Sequence, residues 1–399
     1  MGFFSNGMLH PVGAYFLMEA ILASFTGIAA LLLFILIRRT VRRSYFRRHD
    51  LLAFNIRKQW PTILSGVTES RAWREDPMQR AVVQDVALRE LDAASPQERL
   101  RIQEFLRASG MLDACIEQAR KGHGWQRRNA LVTLGATLMR EAIPALAEAL
   151  ADGQLETRLA AVRGLGRTEL PQAADPILER LMANRLNIPA HPVSNALLRC
   201  CGTRPQMLLP YLRQSRGEVR ELLARVAAEI ASPEMADEMV LMAGDALPEV
   251  RACAARALAA APLPLALPAL AGLARDPVWF VRLRAVNSLD LLRHPRTIPI
   301  LLEALCDSNR FVRLRSAAAL SGFIRERTQI LENVVDSHDR YALHAMISAL
   351  ELAGGFGKVI EQLSEPLHHD AAAERLLGAL REGAATLWSA DPESVLEKV

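Results

Sequence analysis

Hydrophobic and polar positions divide the chain into one long apolar run near its start and a series of amphipathic segments behind it. The run VGAYFLMEAILASFTGIAALLLFILI covers residues 12–37 and is interrupted only by Glu19. As a helix it spans about 39 Å, enough to cross a hydrocarbon core of about 30 Å with some tilt. No charged side chain precedes it, and it is longer than the apolar part of a signal peptide. We therefore predict a retained transmembrane helix.

The segments behind the run repeat one plan at a period of about 31 residues. Each unit has an apolar first segment, a short turn, and a second segment with the pattern V-R-x-x-[AS]-A-x-x-L, as in TIPILLEALCDSNRFVRLRSAAALSGF at 297–323. In four units an Asp in the turn precedes an Arg by six positions: Asp152 and Arg158, Asp245 and Arg251, Asp276 and Arg282, Asp307 and Arg313. Arg127 and Arg220 keep the arginine position in two further units. Self-similarity at a fixed period predicts stacked repeats that bury a shared core.

Composition agrees with an all-α fold. Apolar residues make up 51% of the chain and aromatic residues only 5%, so the apolar mass is mainly Ala, Leu and Val, which suit closely packed helices. Ser95-Pro96-Gln97-Glu98 reads as a capping box that begins a helix. Four prolines are predicted near the start of first helices, where a missing N–H costs nothing. They are Pro144, Pro176, Pro268 and Pro299.

These helix pairs resemble the HEAT-repeat family, and the short period looks most like its phycobilisome-lyase-type HEAT-like repeats. The resemblance covers about residues 78–382 and is strongest over 125–323. It implies an α-solenoid whose second helices line the concave side. In that family the Asp and Arg at these positions form an internal ladder between successive repeats. The resemblance gives this structural role to Asp152, Arg158, Arg220, Asp245, Arg251, Asp276, Arg282, Asp307 and Arg313.

Together these features predict an α-solenoid of HEAT-like helix pairs preceded by one transmembrane helix. The expected parts are a short extracytoplasmic N-terminus (1–11), the transmembrane helix (12–37), a basic juxtamembrane segment and linker (38–76), the solenoid (78–382), and a C-terminal tail or cap (383–399). Leu387 and Trp388 are expected to cap the last repeat, and a docking tail is the alternative.

One unit departs from the plan. The stretch MANRLNIPAHPVSNALLRCCG at 182–202 lacks the Asp and the Arg, contains two prolines, and is about five residues longer than its neighbours. Such a unit can bend a solenoid or expose a recognition loop. We expect His191, which stands near both prolines, to be a loop residue rather than a metal ligand.

The positive charge is concentrated behind the apolar run. The formal net charge is +4, and six arginines lie within about eleven residues, so the rest of the chain is nearly neutral. These are Arg38, Arg39, Arg42, Arg43, Arg47 and Arg48. The positive-inside rule places the solenoid in the cytoplasm and the N-terminus outside. We expect the cluster to act as a topology signal that also contacts lipid headgroups. Specific recognition of anionic lipids is the alternative interpretation. No nucleic-acid partner is expected, because the folded part lacks a basic field.

The apolar run carries a candidate face for another membrane helix. Glu19 is an intramembrane carboxylate, and Ala20 with Ser24 and Ala23 with Gly27 place small residues four apart. Small residues at this spacing let a second helix approach closely. Glu19 could instead extend outward to the headgroups, in which case the face has no partner.

A second column of arginines lies on the second helices, on the side that faces away from the core. Its members are Arg163, Arg199, Arg225, Arg256, Arg284 and Arg315. They could form a basic stripe along the concave groove that binds an acidic peptide, a phosphate group or carboxylates. A solvated helix face, paired with local Glu such as Glu221 and Glu229, explains the same residues.

Candidates for catalysis are weak. The related di-iron hydroxylases carry His-Glu pairs, and no His-Glu dipeptide occurs here. His368-His369-Asp370 is more typical of a solvated helix boundary than of a metal site. Five cysteines without CxxC spacing indicate reduced thiols, and Cys200-Cys201 reads as core packing. We expect no catalytic residue, no cofactor, no metal and no enzymatic activity.

The sequence therefore predicts a single-pass inner-membrane scaffold or adaptor that binds a protein partner at the cytoplasmic face. The partner is expected to be membrane-embedded or membrane-associated, for example within an envelope complex such as a polysaccharide synthase. A regulatory module that binds an anionic ligand or an acidic peptide in the concave groove is the alternative. An enzyme of the lyase or hydroxylase type comes third.

Overall fold

Helices account for 82% of the chain in a computed structural model that describes residues 11–65, 76–364 and 371–389. Over these ranges no strand is present. The all-α prediction is therefore confirmed. The chain divides into two compact units, Met1–Cys115 and Ile116–Val399. The predicted N-terminus (1–11, apart from Pro11), the cluster His368-His369-Asp370 and residues 390–399 of the predicted tail lie outside the described residues.

The first unit begins with the long helix α1, Pro11–Leu64. Residues 18–64 form a helix that is long and apolar enough to cross a membrane, and none of its apolar window is buried. The expected linker at 38–76 is thus helical as far as Leu64. The reason lies in its last turns, where Ile56, Trp60 and Ile63 are buried at spacings that lie on one helix face.

Two further helices complete this packing: α2, Pro77–Ala93, and α3, Pro96–Ala108. α1 packs against both helices, and the Trp60 and Phe105 rings meet edge to face at 5.8 Å. The predicted capping box before α3 is confirmed, because the Ser95 side chain accepts from the Glu98 N–H and the Glu98 carboxylate accepts from the Ser95 N–H. The helical end of α1 is thereby fixed onto the first helix pair.

The remaining helices continue as pairs. They are α4 Met111–Lys121, α5 Gly124–Ala136, α6 Ile143–Ala149, α7 Leu155–Thr168, α8 Asp175–Met182, α9 Ala190–Cys201, α10 Leu209–Gln214, α11 Gly217–Glu229, α12 Ala236–Met242, α13 Pro248–Ala257, α14 Leu263–Leu273, α15 Trp279–Leu292, α16 Ile298–Leu305, α17 Arg310–Ser321, α18 Arg327–Asp336, α19 Arg340–Leu352, α20 Phe356–Ser364 and α21 Ala371–Ser389. The boundary between the two units falls within α4. The last helix continues beyond Gly383, so the predicted tail begins as helix.

Within the second unit the odd-numbered helices from α5 to α19 are the second helices, and each packs beside the next. The even-numbered first helices cover them. Fully buried Leu, Val and Ala side chains fill the space between the two layers, among them Leu131, Leu165 and Leu223. This is the arrangement expected of a repeat array, in which each unit buries its apolar face against its neighbours.

Glycines let the second helices α5, α7 and α9 approach one another closely. A Cβ atom on Gly135 of α5 would lie 2.5 Å from the Gly164 Cα of α7, and one on Gly166 would lie 2.6 Å from the Ala196 Cα of α9. Real side chains do not tolerate such distances. The backbones of α5, α7 and α9 therefore meet directly at these positions.

Three of the four predicted prolines stand at the second position of a first helix: Pro144 in α6, Pro176 in α8 and Pro299 in α16. Pro268 does not, because α14 begins at Leu263 and Pro268 lies inside it. Pro264 occupies the second position there. The helix gains one turn upstream of the expected start.

Candidate interaction surfaces of the helical repeats

The Asp and Arg residues of the repeated plan meet across neighbouring repeats. Four arginines on second helices each place a guanidinium nitrogen 2.6 Å from the Asp of the following repeat. These pairs are Arg127 with Asp152, Arg220 with Asp245, Arg251 with Asp276, and Arg282 with Asp307. The partners are largely buried. We call these contacts the rungs.

Each rung also fixes the turn inside its own repeat. Asp276 lies two residues before the N-cap of α15 and accepts the Val278 N–H at 2.9 Å. Arg282, three residues into the same helix, donates to the Asp276 backbone carbonyl at 2.8 Å. One Asp thus caps its turn and accepts the Arg of the preceding repeat, so the geometry of a turn and the stacking of repeats depend on each other.

The pKa of these carboxyls reflects the rungs. Burial alone raises the pKa of Asp276, but hydrogen bonds from Arg251 and from the Val278 N–H outweigh it and hold the pKa below its ordinary value. Asp307 shows the same balance through Arg282, with its pKa also lowered. The hydrogen bond to Asp276 raises the pKa of Arg251. In the rungs Arg251–Asp276 and Arg282–Asp307 both partners therefore stay ionised at neutral pH.

Two arginines of the plan lack a carboxylate because another residue stands at the Asp position, two residues before the N-cap. Before α9 this residue is Asn187, whose backbone carbonyl accepts from Arg158 at 3.1 Å. Before α19 it is Ser337, whose hydroxyl accepts the Asp339 N–H at 3.3 Å. Arg313 lies over the Tyr341 ring at 5.3 Å instead. The repeat pattern in the sequence did not predict that Asn187 and Ser337 occupy the Asp position.

The second column of arginines alternates between paired and unpaired side chains. Arg199 meets Glu169 at 2.7 Å, Arg315 meets Asp290 at 2.7 Å, and Arg256 meets Glu229. In the intervening helices Arg163, Arg225 and Arg284 are exposed, and none has an ion pair with any residue that the structure describes. Half of the predicted stripe is therefore neutralised by the preceding repeat, and Glu229 plays the part expected of a local partner.

Two of the unpaired members, Arg225 and Arg284, lie near Cys253 of α13, as does the paired Arg256. Burial raises the pKa of this thiol, while Arg225, Arg256 and Arg284 lie close enough to act in the opposite direction. These arginines come from the consecutive helices α11, α13 and α15. Of these three arginines, Arg256 alone has a carboxylate partner among the residues that the structure describes, so the cluster has positive charge available for an anion.

The other cysteines are buried thiols or caps rather than nucleophiles. Burial raises the pKa of Cys115, Cys200 and Cys201 to about 12 each, so all three stay protonated at neutral pH. Cys200 and Cys201 are fully buried, as core packing requires. Cys306 is exposed at the end of α16.

The irregular unit is more regular than expected in one respect. His191 is the second residue of α9 and not a loop residue, because Pro189 takes the N-cap position and the helix begins at Ala190. Its Nδ1 lies 3.3 Å from the Asn195 amide nitrogen. The turn before it contains two residues with positive φ, Asn184 and Asn187. This turn, residues 183–189, is two residues longer than the turn at 150–154 before α7.

The membrane-facing candidates all lie on the exposed surface of α1. This holds for the proposed helix face Glu19, Ala20, Ala23, Ser24 and Gly27, and for the arginine cluster Arg38, Arg39, Arg42, Arg43, Arg47 and Arg48. Within the described part of the chain, no three His, Cys, Asp or Glu side chains are grouped so that they could hold a metal ion.

One surface was not predicted from the sequence. Trp279, Phe311 and Tyr341 begin the consecutive second helices α15, α17 and α19, and they are 42%, 50% and 64% exposed. The Trp279 and Phe311 rings lie 5.9 Å apart, and Arg310 stacks over Phe311 at 4.9 Å. We call these three rings the aromatic strip. Their spacing of about 31 residues is visible in the sequence, but the sequence does not reveal that the rings are exposed.

The two layers of paired helices, joined by rungs, define a helical-repeat protein of the solenoid class. A family model described as HEAT repeats matches residues 112–186, 205–290 and 276–351, which together are more than half of the chain. The chain belongs to the HEAT-repeat family. The unmatched stretch 187–204 falls on the irregular unit. No curated protein matches the chain.

Several solved structures are similar at low identity. An engineered protein is 15% identical with a TM-score of 0.37, over 81% of this chain and 98% of that one. The YibA protein of Escherichia coli is 18% identical at 0.32, over 68% and 92%. Human deoxyhypusine hydroxylase, solved in complex with glycerol, is 21% identical at 0.27, over 68% and 98%. At these scores the likenesses carry no argument about function.

Proposed function

We propose that this protein is a single-pass membrane-anchored scaffold or adaptor whose HEAT repeats bind a protein partner at the cytoplasmic face of the inner membrane. The observation that carries the proposal is the single helix α1. Its apolar residues are exposed over 18–37, where Leu22 and Phe34 are 68% and 60% exposed, yet its end at Ile56, Trp60 and Ile63 is buried on α2 and α3. Soluble proteins rarely expose a contiguous apolar surface of this size.

The orientation is supported by the arginines that follow the apolar residues on the same helix. From Arg38 to Ile56 the helix rises about 27 Å, and most of its side chains on this stretch are exposed. A basic helical segment of this length fits the region of anionic headgroups on the cytoplasmic side. It would hold the packed end of α1 at a distance from the bilayer.

A binding role is supported over catalysis by what the repeats offer. The exposed side chains of the second helices include arginines and aromatic rings, and the buried thiols are protonated at neutral pH. Arginine and aromatic side chains are the residue types that dominate protein interfaces. We propose accordingly that the protein has no enzymatic activity of its own.

The anchor is tested by membrane fractionation of the full chain. The protein is expected to stay with membranes after alkaline carbonate washing. Single cysteines introduced into a cysteine-free chain at Ser5 and at Ser65 report the topology through an impermeant thiol reagent. Labelling of the Ser5→Cys variant alone in intact cells supports the proposal. Release by carbonate, or labelling of the Ser65→Cys variant alone, contradicts it.

The partner is tested by purification in mild detergent followed by mass spectrometry. We expect a stoichiometric membrane-embedded or membrane-associated protein, such as a component of an envelope complex or a polysaccharide synthase. Leucine substitutions at Ala20, Ala23 and Gly27 block the small-residue face and are expected to reduce recovery of a membrane-embedded partner. Ala29→Leu makes the same small-to-large change on the opposite face of the helix and serves as the matched control. Recovery of a clean monomer would count against scaffolding.

A second candidate function has its own observation in the arginines around Cys253. Arg225 and Arg284 have no ion pair among the described residues, and their neighbour Arg256 holds Glu229. Such a cluster fits a regulatory module that binds an anionic ligand or an acidic peptide in the groove. Titration calorimetry with inorganic phosphate and with a polyglutamate peptide tests it. Arg225→Glu with Arg284→Glu is expected to abolish binding, and Arg296→Glu to leave it unchanged.

A further inference from the structure

The last rung of the stack is left open at the edge that carries the aromatic strip. Ser337 stands where the plan has an Asp, so Arg313 has no carboxylate partner among the described residues. Its hydrogen bonds go only to the Asp307 and Ser308 carbonyls of its own turn, at 2.7 and 3.0 Å. The corresponding guanidinium one repeat earlier, Arg282, is bound by two oxygens of Asp307.

Two more cations at this edge lack a partner. Arg310 stacks on Phe311 but makes no hydrogen bond or ion pair with a described residue, and two of its nitrogens are shielded from water. Arg340, the first residue of α19, is exposed and has no ion pair within the described ranges. The nearby Asp339 carboxylate is occupied by the Tyr341 and Ala342 N–H groups at 2.8 and 3.1 Å. The three arginines outnumber this one nearby carboxylate, so the local charge is positive.

Exposed aromatic rings run through the same edge. Trp279, Phe311 and Tyr341 offer apolar faces beside the three arginines. A segment with both carboxylates and apolar side chains can pair with the arginines and cover the rings at one site. A purely acidic ligand would leave the rings exposed, and a purely apolar one would leave the guanidinium groups without acceptors.

We propose that the aromatic strip, with Arg310, Arg313 and Arg340, is a docking surface for an extended acidic segment of a partner protein that carries aromatic or aliphatic side chains between its carboxylates. One carboxylate of that segment takes the place of the missing Asp at the end of the stack and pairs with Arg313. The inference rests on the proposed role as a protein-binding scaffold and specifies the binding surface and the chemistry of the partner.

The repeat geometry sets the spacing of the partner's side chains. Neighbouring packed helices lie about 8–10 Å apart, and an extended segment in the polyproline II conformation advances about 3.1 Å per residue and turns once in about three residues. About three residues of the segment therefore pass each repeat. The segment is expected to present an apolar side chain at about every third position, with Asp or Glu between.

The test uses the full chain in phosphatidylcholine nanodiscs and a twelve-residue random peptide library displayed on phage. Eluted peptides are expected to be enriched in Asp and Glu with apolar residues between them. A synthetic copy of the best peptide is then titrated by fluorescence polarisation. Enrichment of neutral or basic peptides, or no enrichment at all, would overturn the proposal.

Variants locate the binding. Arg310→Gln with Arg313→Gln, and Trp279→Ala with Tyr341→Ala, are each expected to weaken binding at least about tenfold. The matched controls Arg325→Gln and Ile324→Ala alter an exposed arginine and an exposed apolar side chain outside the strip and should leave the affinity unchanged. Equal binding by the strip variants, with unchanged circular dichroism, would refute the assignment.

A gain of charge gives a test that removes no strip residue. Ser337→Asp supplies Arg313 with a carboxylate in its own chain and should weaken peptide binding about threefold or more. Asn187→Asp offers the same change to Arg158, away from the strip, and should have no effect. If a partner recovered by detergent purification binds the aromatic-strip variants and the Ser337→Asp variant as it binds the unaltered chain, the scaffold function stands. Only the assignment of this docking surface would then be overturned.

Discussion

Two groups of turns differ in the residue that stands two positions before the N-cap of the second helix. The first group precedes α13, α15 and α17, and the second precedes α9 and α19. In the first group it is Asp245, Asp276 and Asp307, and each accepts the arginine of the preceding repeat. In the second group it is Asn187 and Ser337. The helix pairs form in both groups.

The comparison shows that the carboxylate does not create the repeat, because α9 and α19 are as well formed as α15. Apolar burial supplies the folding energy, and the rung adds a directional link that fixes how neighbouring repeats meet. Where the carboxylate is missing, the arginine keeps only backbone acceptors. At Arg158 the turn supplies one in Asn187, whereas Arg313 is left beside an exposed ring.

The largest effect is expected from removing a rung. Asp276→Ala should lower the free energy of unfolding by about 3 kcal/mol, because it leaves the Arg251 guanidinium partly buried without its acceptor. Asp339→Ala is the matched control, since that carboxylate caps α19 without an arginine, and should cost about 1 kcal/mol. Urea denaturation followed by circular dichroism measures both. Equal losses would mean that rungs add nothing beyond capping.

The next largest effect is expected where α5 packs closely on α7. Gly135→Ala places a Cβ atom 2.5 Å from the Gly164 backbone and should cost about 2 kcal/mol as the helices move apart. Gly272→Ala in α14 meets nothing within 4 Å and should stabilise by about 0.5 kcal/mol or more, because Ala favours helix. Melting temperatures that shift in the same direction would contradict this account.

The rungs also predict an acid-sensitive stability. The pKa of Asp276 and Asp307 is lowered in the folded chain, so their contribution is fully present above the unfolded value of about 3.9. It is lost as the pH falls through the lower folded value. Unfolding free energy measured from pH 6 downward should fall below about pH 4, and less steeply in Asp276→Asn with Asp307→Asn. A slope unchanged by these substitutions would assign acid sensitivity to other carboxyls.

Restoring the missing carboxylate tests the comparison in the other direction. Ser337→Asp should raise the free energy of unfolding by up to about 1 kcal/mol, because Arg313 is half-buried and already held by its own turn. Asn187→Asp should gain less, since the Asn187 turn has positive φ and its carbonyl already accepts from Arg158. High salt should reduce either gain. A destabilised Ser337→Asp variant would show that the two turns differ in more than one side chain.

The smallest effect belongs to the second arginine column. Arg256→Ala removes a pair with Glu229 whose side chains are 44% and 41% exposed, and it should cost about 0.5 kcal/mol or less. Arg225→Ala, without a pair, should cost nothing measurable. A loss above about 1 kcal/mol at Arg256 would show that this column supports the stack as the rungs do.

Much of the fold could be predicted because the same residue types recur at fixed positions of each repeat. The period, the capping box at Ser95, and the prolines Pro144, Pro176 and Pro299 follow from local backbone rules that hold in any tertiary setting. The prediction for Pro268 was wrong because Pro264, upstream of it, stands at the second position of α14 and the helix begins earlier than expected. The helical continuation of α1 through the expected linker was missed, since it depends on Trp60 packing against Phe105 of α3.

The interaction surfaces were harder to predict because pairing depends on distance between residues far apart in sequence. All six arginines of the second column looked equivalent, but Arg199, Arg256 and Arg315 meet carboxylates from the preceding repeat and Arg163, Arg225 and Arg284 do not. The aromatic strip escaped notice because rings at helix starts read as ordinary core residues until their exposure is known.

The sequence by itself determined the helical class, the repeat and its family, and a long apolar segment at the start, because periodicity and local propensity act over a few residues at a time. The tertiary structure alone decided which charges are neutralised. The lateral stacking of second helices brings Arg251 to Asp276 and leaves Arg313 facing Tyr341, and the free positions of the stack are those where a partner can supply the missing acceptor.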